Sequence, residues 1–100
     1  MSENKKLMTE LARVLKSLLP CSEVNRLDEE KLILIRQHGG FYLRILAAFD
    51  GKDTPVLSAG FERIGVNHQI SAEEVLELQH SACEAQNALR VAEEFVRQYA

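Results

Sequence analysis

A chain of 100 residues, 46% of them hydrophobic and 27% charged, is long enough for one hydrophobic core and too apolar for a disordered protein. It has no run of about 20 consecutive apolar residues, which argues against a membrane-spanning helix, and a net charge of −3 disfavours nucleic acid as a partner. Charged residues interrupt the apolar residues near the amino terminus, so we expect no signal peptide and a cytosolic protein. We expect a single domain over residues 1–100.

The first element is an amphipathic helix over residues 3–19. Apolar residues recur at three- and four-residue spacing, charged residues fall between them, and Pro20 ends the pattern. The apolar positions are Leu7, Leu11, Val14, Leu15 and Leu18.

Residues 21–30 are mostly polar around Val24 and Leu27. This composition, with no regular apolar spacing, is typical of a loop. We therefore predict a loop here, with at most one helical turn.

Two strands follow, over residues 31–37 and 41–50, and Gly39 and Gly40 between them form a hairpin turn. This turn places Leu34 opposite Ile45 and Ile35 opposite Arg44, so the residues of each sheet face can be assigned. The more apolar face carries Leu32, Leu34, Phe41, Leu43, Ile45, Ala47 and Phe49, and the other carries Ile33, Ile35, Tyr42, Leu46 and Ala48.

A third strand covers residues 56–64, with Pro55 at its start, where a missing amide donor is tolerated. Leu57, Ala59 and Phe61 form its apolar side. Because a shift of one residue reverses every side chain, the pattern alone does not assign these three to either face. The predicted sheet is a three-stranded antiparallel β-meander.

The last element is a long helix over residues 72–99. Ser71 and Glu74 match a capping box, and Ile70 before the cap can pack on Val75 as a hydrophobic staple. Apolar residues then recur in alternating steps of three and four over more than three heptads. We call these residues the predicted seam: Val75, Leu78, Ala82, Ala85, Leu89, Ala92, Val96 and Tyr99.

The length of this helix is the main reason to predict protein binding. About 29 residues at about 1.5 Å each give about 43 Å, whereas a compact domain of this size has a diameter of about 34 Å. An apolar stripe that extends beyond its own domain costs about 25 cal/mol per Å² in water. We therefore expect the seam to bind the first helix, a second copy or a different protein.

A thiol or metal site is one alternative. His80 and Cys83 lie three residues apart on the helix, and Glu77 or Glu84 is a candidate third ligand. The remaining candidate ligands, Cys21, His38 and His68, show no paired spacing. We therefore predict no metal and no cofactor, and we expect both cysteines to be packed thiols.

A basic flank on the first helix is the second alternative. Lys5, Lys6, Arg13 and Lys16 could contact a phosphate backbone. Against this, residues 71–100 carry two basic and six acidic residues. Nucleic-acid binding is therefore the weaker hypothesis.

The sequence predicts an α+β fold in which one helix precedes and one follows the three-stranded sheet. No convergent polar site for catalysis is evident, so the leading hypothesis is a non-enzymatic interaction module. Such a protein would be a small adaptor, inhibitor or chaperone-like protein that docks on a larger protein, with homodimerisation as a second mode. The predicted seam is the candidate partner-binding site.

Overall fold

The computed structural model describes residues 3–65 and 69–99. The chain forms a four-stranded antiparallel sheet in the order β1-β2-β3-β4, with one helix before it and one after it. This confirms the α+β class and adds one strand to the prediction. The elements are α1 (Glu3–Leu18), β1 (Glu23–Asp28), β2 (Lys31–His38), β3 (Phe41–Ala48), β4 (Val56–Arg63) and α2 (Ala72–Tyr99).

The predicted loop at residues 21–30 is wrong, because β1 lies there and pairs antiparallel with β2. β1 is an edge strand whose side chains are exposed except for the half-buried Val24. A strand in this position needs no alternation of apolar and polar residues, so the sequence pattern did not reveal it. The turn into β2 is stabilised by the Glu30 amide, which donates a hydrogen bond to Asp28 Oδ1 at 2.7 Å.

The predicted hairpin of β2 and β3 is confirmed, with Leu34 opposite Ile45 and Ile35 opposite Arg44. Gly39 in the turn has a φ of +52°, a conformation that glycine adopts without strain. β3 ends at Ala48 rather than residue 50, because Asp50 and Gly51 both have positive φ. They form a tight turn in which the Lys52 amide donates to the Phe49 carbonyl at 2.8 Å.

β4 pairs with β3 so that Leu57 lies opposite Ala47 and Ala59 opposite Ile45. This register puts Leu57, Ala59 and Phe61 on the more apolar face, which the sequence pattern left open. The two helices pack against that same face. Their core contains Leu7, Met8, Leu11, Leu15, Leu19, Leu32, Leu34, Leu43, Ile45, Ala47, Phe49, Ala85, Ala88, Ala92 and Val96.

The second face of the sheet is not covered by a helix of the described chain. Ile33, Ile35 and Leu46 are half-buried there. Tyr42 donates a hydrogen bond to Glu62 across the same face, and Arg44 lies 3.3 Å from Glu62. One-sided covering is common in antiparallel sheets.

The molecule is elongated, with extents of 46 × 23 × 21 Å. At about 1.5 Å per residue the 28 residues of α2 extend for about 42 Å, so α2 must follow the long axis. The 16 residues of α1 extend for only about 24 Å. Leu7 near the start of α1 and Val96 near the end of α2 line one cavity, so the helices are antiparallel and α1 covers the carboxy-terminal part of α2.

Among residues 3–65 and 69–99, neither helix combines the length and the apolar character needed to cross a membrane.

Candidate functional site

The predicted seam is divided between the protein's own core and its surface. Ala85, Ala92 and Val96 are buried in the core, whereas Val75 and Tyr99 are each 42% exposed. Leu78, Ala82 and Leu89 are half-buried. Ala85, Ala92 and Val96 are therefore covered within the chain, and partner binding stays a prediction for the other five residues of the seam.

The stripe of α2 that is buried is not the predicted seam itself. It consists of Ser81, Ala85, Ala88, Ala92 and Val96, so it is displaced around the helix towards Ala88. Small side chains at these positions allow the backbone of α2 to approach α1 and the sheet closely. Every buried residue of the described α2 lies at or after Ser81, and the apolar side chains of its first turns are only partly covered: Val75 is 42% exposed, Leu76 is 65% exposed and Leu78 is half-buried.

A groove lies between β4 and the amino-terminal half of α2. It consists of two adjoining cavities of about 330 and 290 Å³ that share Phe61 and Ala82. We call this surface the β4-α2 groove. It is lined by Ala59, Gly60, Phe61 and Arg63 of β4, by Val75, Leu78, Gln79, Ala82, Ala85, Gln86 and Leu89 of α2, and by Phe41 and Ile70.

The groove is apolar and open to solvent. Ile70 is 46% exposed, and Ala59 is exposed although it lies on the face of β4 that points to the helices. At one end the Arg63 guanidinium lies over the Phe41 ring, 5.8 Å from its centroid, in cation–π geometry. An apolar groove of this kind, with one cation at its end, is suited to bind polypeptide side chains.

The edge of β4 carries backbone groups without a strand partner in the described chain. The Ile64 amide donates to the Gly40 carbonyl at 2.8 Å, which shows that every second residue of β4 bonds to β3. Because of this alternation, the backbone amide and carbonyl groups of the other residues point away from β3, towards the open edge. These residues are Leu57, Ala59, Phe61 and Arg63. β4 thus presents eight residues with no internal proline as an open edge.

The opposite edge of the sheet is less suited to pair with another strand. β1 has six residues, and its pairing with β2 is irregular between Arg26 and Asp28. Arg26 also donates a hydrogen bond to Thr9 of α1 at 3.0 Å, which connects this edge to the first helix. Short, irregular and charged edges resist strand addition, so the open edge of this sheet is β4.

Polar residues at the middle of α2 attach it to β2. The Arg36 guanidinium donates two hydrogen bonds, at 3.3 and 3.0 Å, to the carboxylate of Glu84. This bond lowers the pKa of Glu84, and the Arg36 side chain is only 13% exposed. His80 Nε2 lies 3.4 Å from the same carboxylate, one helical turn away.

Next to this ion pair, His38 Nε2 lies 3.1 Å from Ser81 Oγ. A serine beside a histidine is found in nucleophilic catalysis, but Ser81 is fully buried and its hydroxyl is closed to a substrate. Burial lowers the pKa of His38, and the positive charge of Arg36 lowers it further. The contact therefore supplies a hydrogen-bond partner for a buried hydroxyl group.

The structure tests the metal part of the alternative thiol or metal site. Among the residues that the structure describes, no group of three or more His, Cys, Asp or Glu side chains could hold a metal ion. His68, another candidate ligand, lies outside these residues. The expectation of packed thiols is wrong, because Cys21 and Cys83 are both exposed.

The basic flank of α1 is where the sequence predicted it. Lys5, Lys6, Arg13 and Lys16 are exposed, and Arg13 lies 3.3 Å from Glu10. Exposed cations are usual on the polar side of an amphipathic helix. Nucleic-acid binding stays an untested prediction, for which a titration at low salt is the direct measurement.

No family model, curated protein or solved structure matches this chain.

Proposed function

We propose that this protein is a non-enzymatic interaction module that binds another polypeptide in the β4-α2 groove. A small adaptor, inhibitor or chaperone-like protein of the cytosol would use such a surface. The proposal rests on one observation: the open edge of β4 and the apolar groove share Ala59, Phe61 and Arg63. A strand added to this edge would gain backbone hydrogen bonds from β4 and side-chain pockets from α2, as in strand-addition recognition.

The groove replaces the predicted seam as the binding surface. Ala92 and Val96 are buried in the core and do not line the groove, whereas Val75, Leu78, Ala82, Ala85 and Leu89 of the seam do. Covering each of the larger apolar side chains would contribute on the order of 1 kcal/mol. Together with several backbone hydrogen bonds, these contacts support specific binding.

A site-specific photocrosslinker tests this proposal. Benzoylphenylalanine at Gln79, an exposed residue of the groove, should capture a polypeptide in the native cell. The matched control places the same group at Glu93, which is exposed on α2 and does not line the groove. Capture that is absent at Gln79, or equally strong at both positions, would refute the proposal.

A further inference from the structure

We infer that the polypeptide bound in the β4-α2 groove is a second copy of this chain. The two β4 strands would pair antiparallel about a two-fold axis at Gly60 and join the two sheets into one of eight strands. This inference rests on the proposed function, since it names the partner of the same groove. It is supported by the backbone pattern of β4, by the side chains along it and by the position of α2.

The backbone of β4 is self-complementary in one register. With the axis at Gly60, Leu57 lies opposite Arg63 of the second copy, and Ala59 lies opposite Phe61 of the second copy. Each of the four residues whose backbone groups point away from β3 then lies opposite another such residue of the second copy. Four such pairs with two bonds each give about eight hydrogen bonds. Centring the axis on Ala59 or Phe61 leaves one residue of each strand unpaired.

The side chains fit the same register. On the groove side, each Phe61 lies opposite the small Ala59 of the second copy, so a large and a small residue alternate across the axis. On the other side, Gly60 faces Gly60 of the second copy, and Ser58 faces Glu62 of the second copy. Like charges directly opposite one another would destabilise the pair, and this register places none opposite one another.

The position of α2 is compatible with this two-fold pairing of the β4 strands. Gly60 shares a cavity with Ala82 and Gln86, so the two-fold axis passes near this part of α2. The two α2 helices would run antiparallel over the joined sheet, with Leu78 of each directed towards Leu89 of the other. The small side chain of Ala82 near the crossing permits close approach. The apolar flank of α2 that α1 leaves uncovered would thereby be covered.

A disulfide scan tests the pairing and its register. In a Cys21→Ser, Cys83→Ser background, Gly60→Cys should crosslink two chains on mild oxidation, because paired Cα atoms at this position lie about 4.5 Å apart. A side-chain carbon at Gly60 meets no atom within 4 Å in one chain, so the variant should fold. The control Ser58→Cys is exposed on the same strand but would lie about 14 Å from its counterpart, and it should not crosslink.

Sedimentation velocity of the protein with both native cysteines gives the second test. The wild-type chain should sediment as a dimer at micromolar concentration. Ala59→Pro removes an outward amide without removing a bond to β3, so it should raise the dimer dissociation constant at least 100-fold while the circular dichroism spectrum is retained. Ala59→Ser, which keeps the amide, should remain a dimer.

The outcomes separate this inference from the proposed function. A wild-type monomer at several hundred micromolar, or equal crosslinking of Gly60→Cys and Ser58→Cys, overturns the second copy as the partner. If Gln79 then captures a different protein in cells, the interaction module stands and the homodimer does not. If Gln79 captures nothing, both proposals are wrong.

Discussion

Arg36 and Glu84 connect β2 to α2, because the Arg36 guanidinium donates two hydrogen bonds to the Glu84 carboxylate. Their side chains are 13% and 31% exposed, so the pair is neither fully buried nor freely solvated. A charge that loses its partner in such surroundings is destabilising, because water replaces the lost bonds only in part. The pair should therefore contribute more to stability than the exposed ion pairs of the helices.

Arg36→Met should lower the free energy of unfolding by about 1–2 kcal/mol, because Glu84 would be left half-buried without its donor. Urea unfolding measures this change. The matched control is Arg13→Met, which removes a helix ion pair whose arginine is 73% exposed and should cost less than about 0.5 kcal/mol. Equal losses in the two variants would contradict the assignment of Arg36 as a structural residue.

His38 should make the stability depend on pH. Its pKa in the folded protein is lowered from the ordinary value of 6.5, first by burial and then by Arg36, although Glu84 and Glu77 oppose this. The unfolded chain therefore binds this proton more readily, and stability should fall as the pH decreases from about 7 through 6.5 towards the lowered pKa. Urea unfolding at pH 7.5 and 5.5 measures the slope.

His38→Gln should make that slope shallower, because glutamine does not titrate. The wild type, measured in parallel over the same pH range, gives the reference slope. An unchanged slope in His38→Gln would show that His38 does not couple folding to pH.

At the scale of elements, the helices and the β2-β3 hairpin follow from local signals, whereas β1 does not. A capping box, a proline and a Gly-Gly pair each act within a few residues, so they can be recognised in the sequence. β1 has the polar composition of a loop and becomes a strand because β2 offers it an edge to pair with. The β4-α2 groove was missed for the same reason, since Phe61 and Ala82 meet only in the folded chain.

The capping box at the start of α2 should stabilise that end locally. The Glu74 amide donates to Ser71 Oγ at 3.2 Å, and the Ser71 amide donates to Glu74 Oε1 at 3.3 Å. Ser71→Ala should cost about 1 kcal/mol and lower the hydrogen-exchange protection of the first turn of α2. Ser71→Thr, which keeps the hydroxyl, should retain most of the protection, and equal protection in all three proteins would contradict a role for the cap.

At the scale of the whole molecule, stability should be uneven along the long axis. α1 covers the carboxy-terminal part of α2, and every buried residue of the described helix lies at or after Ser81. The amino-terminal turns of α2 have exposed apolar residues such as Leu76, which is 65% exposed. These turns should therefore open locally at lower free energy than the core.

Two leucine-to-alanine variants compare the two regions. Leu15→Ala should lower the free energy of unfolding by about 2–5 kcal/mol, because it leaves a cavity among fully buried residues. Leu76→Ala should change it by less than about 0.5 kcal/mol, since this side chain is mostly in solvent. Urea unfolding at a low protein concentration compares the two, and a large loss in Leu76→Ala would contradict the placement of the core.

The sequence by itself determined both helices, the β2-β3 hairpin with its register, and which residues of β2 and β3 share a face, because each follows from periodicity, caps and turns over short distances along the chain. Only the tertiary structure decided that residues 23–28 form a strand, that Leu57, Ala59 and Phe61 face the helices, and that Ala85, Ala92 and Val96 are buried in the core. These features depend on contacts between residues far apart in the sequence. The groove and the open edge of β4 belong to this second group, because α1 is too short to cover the whole of α2.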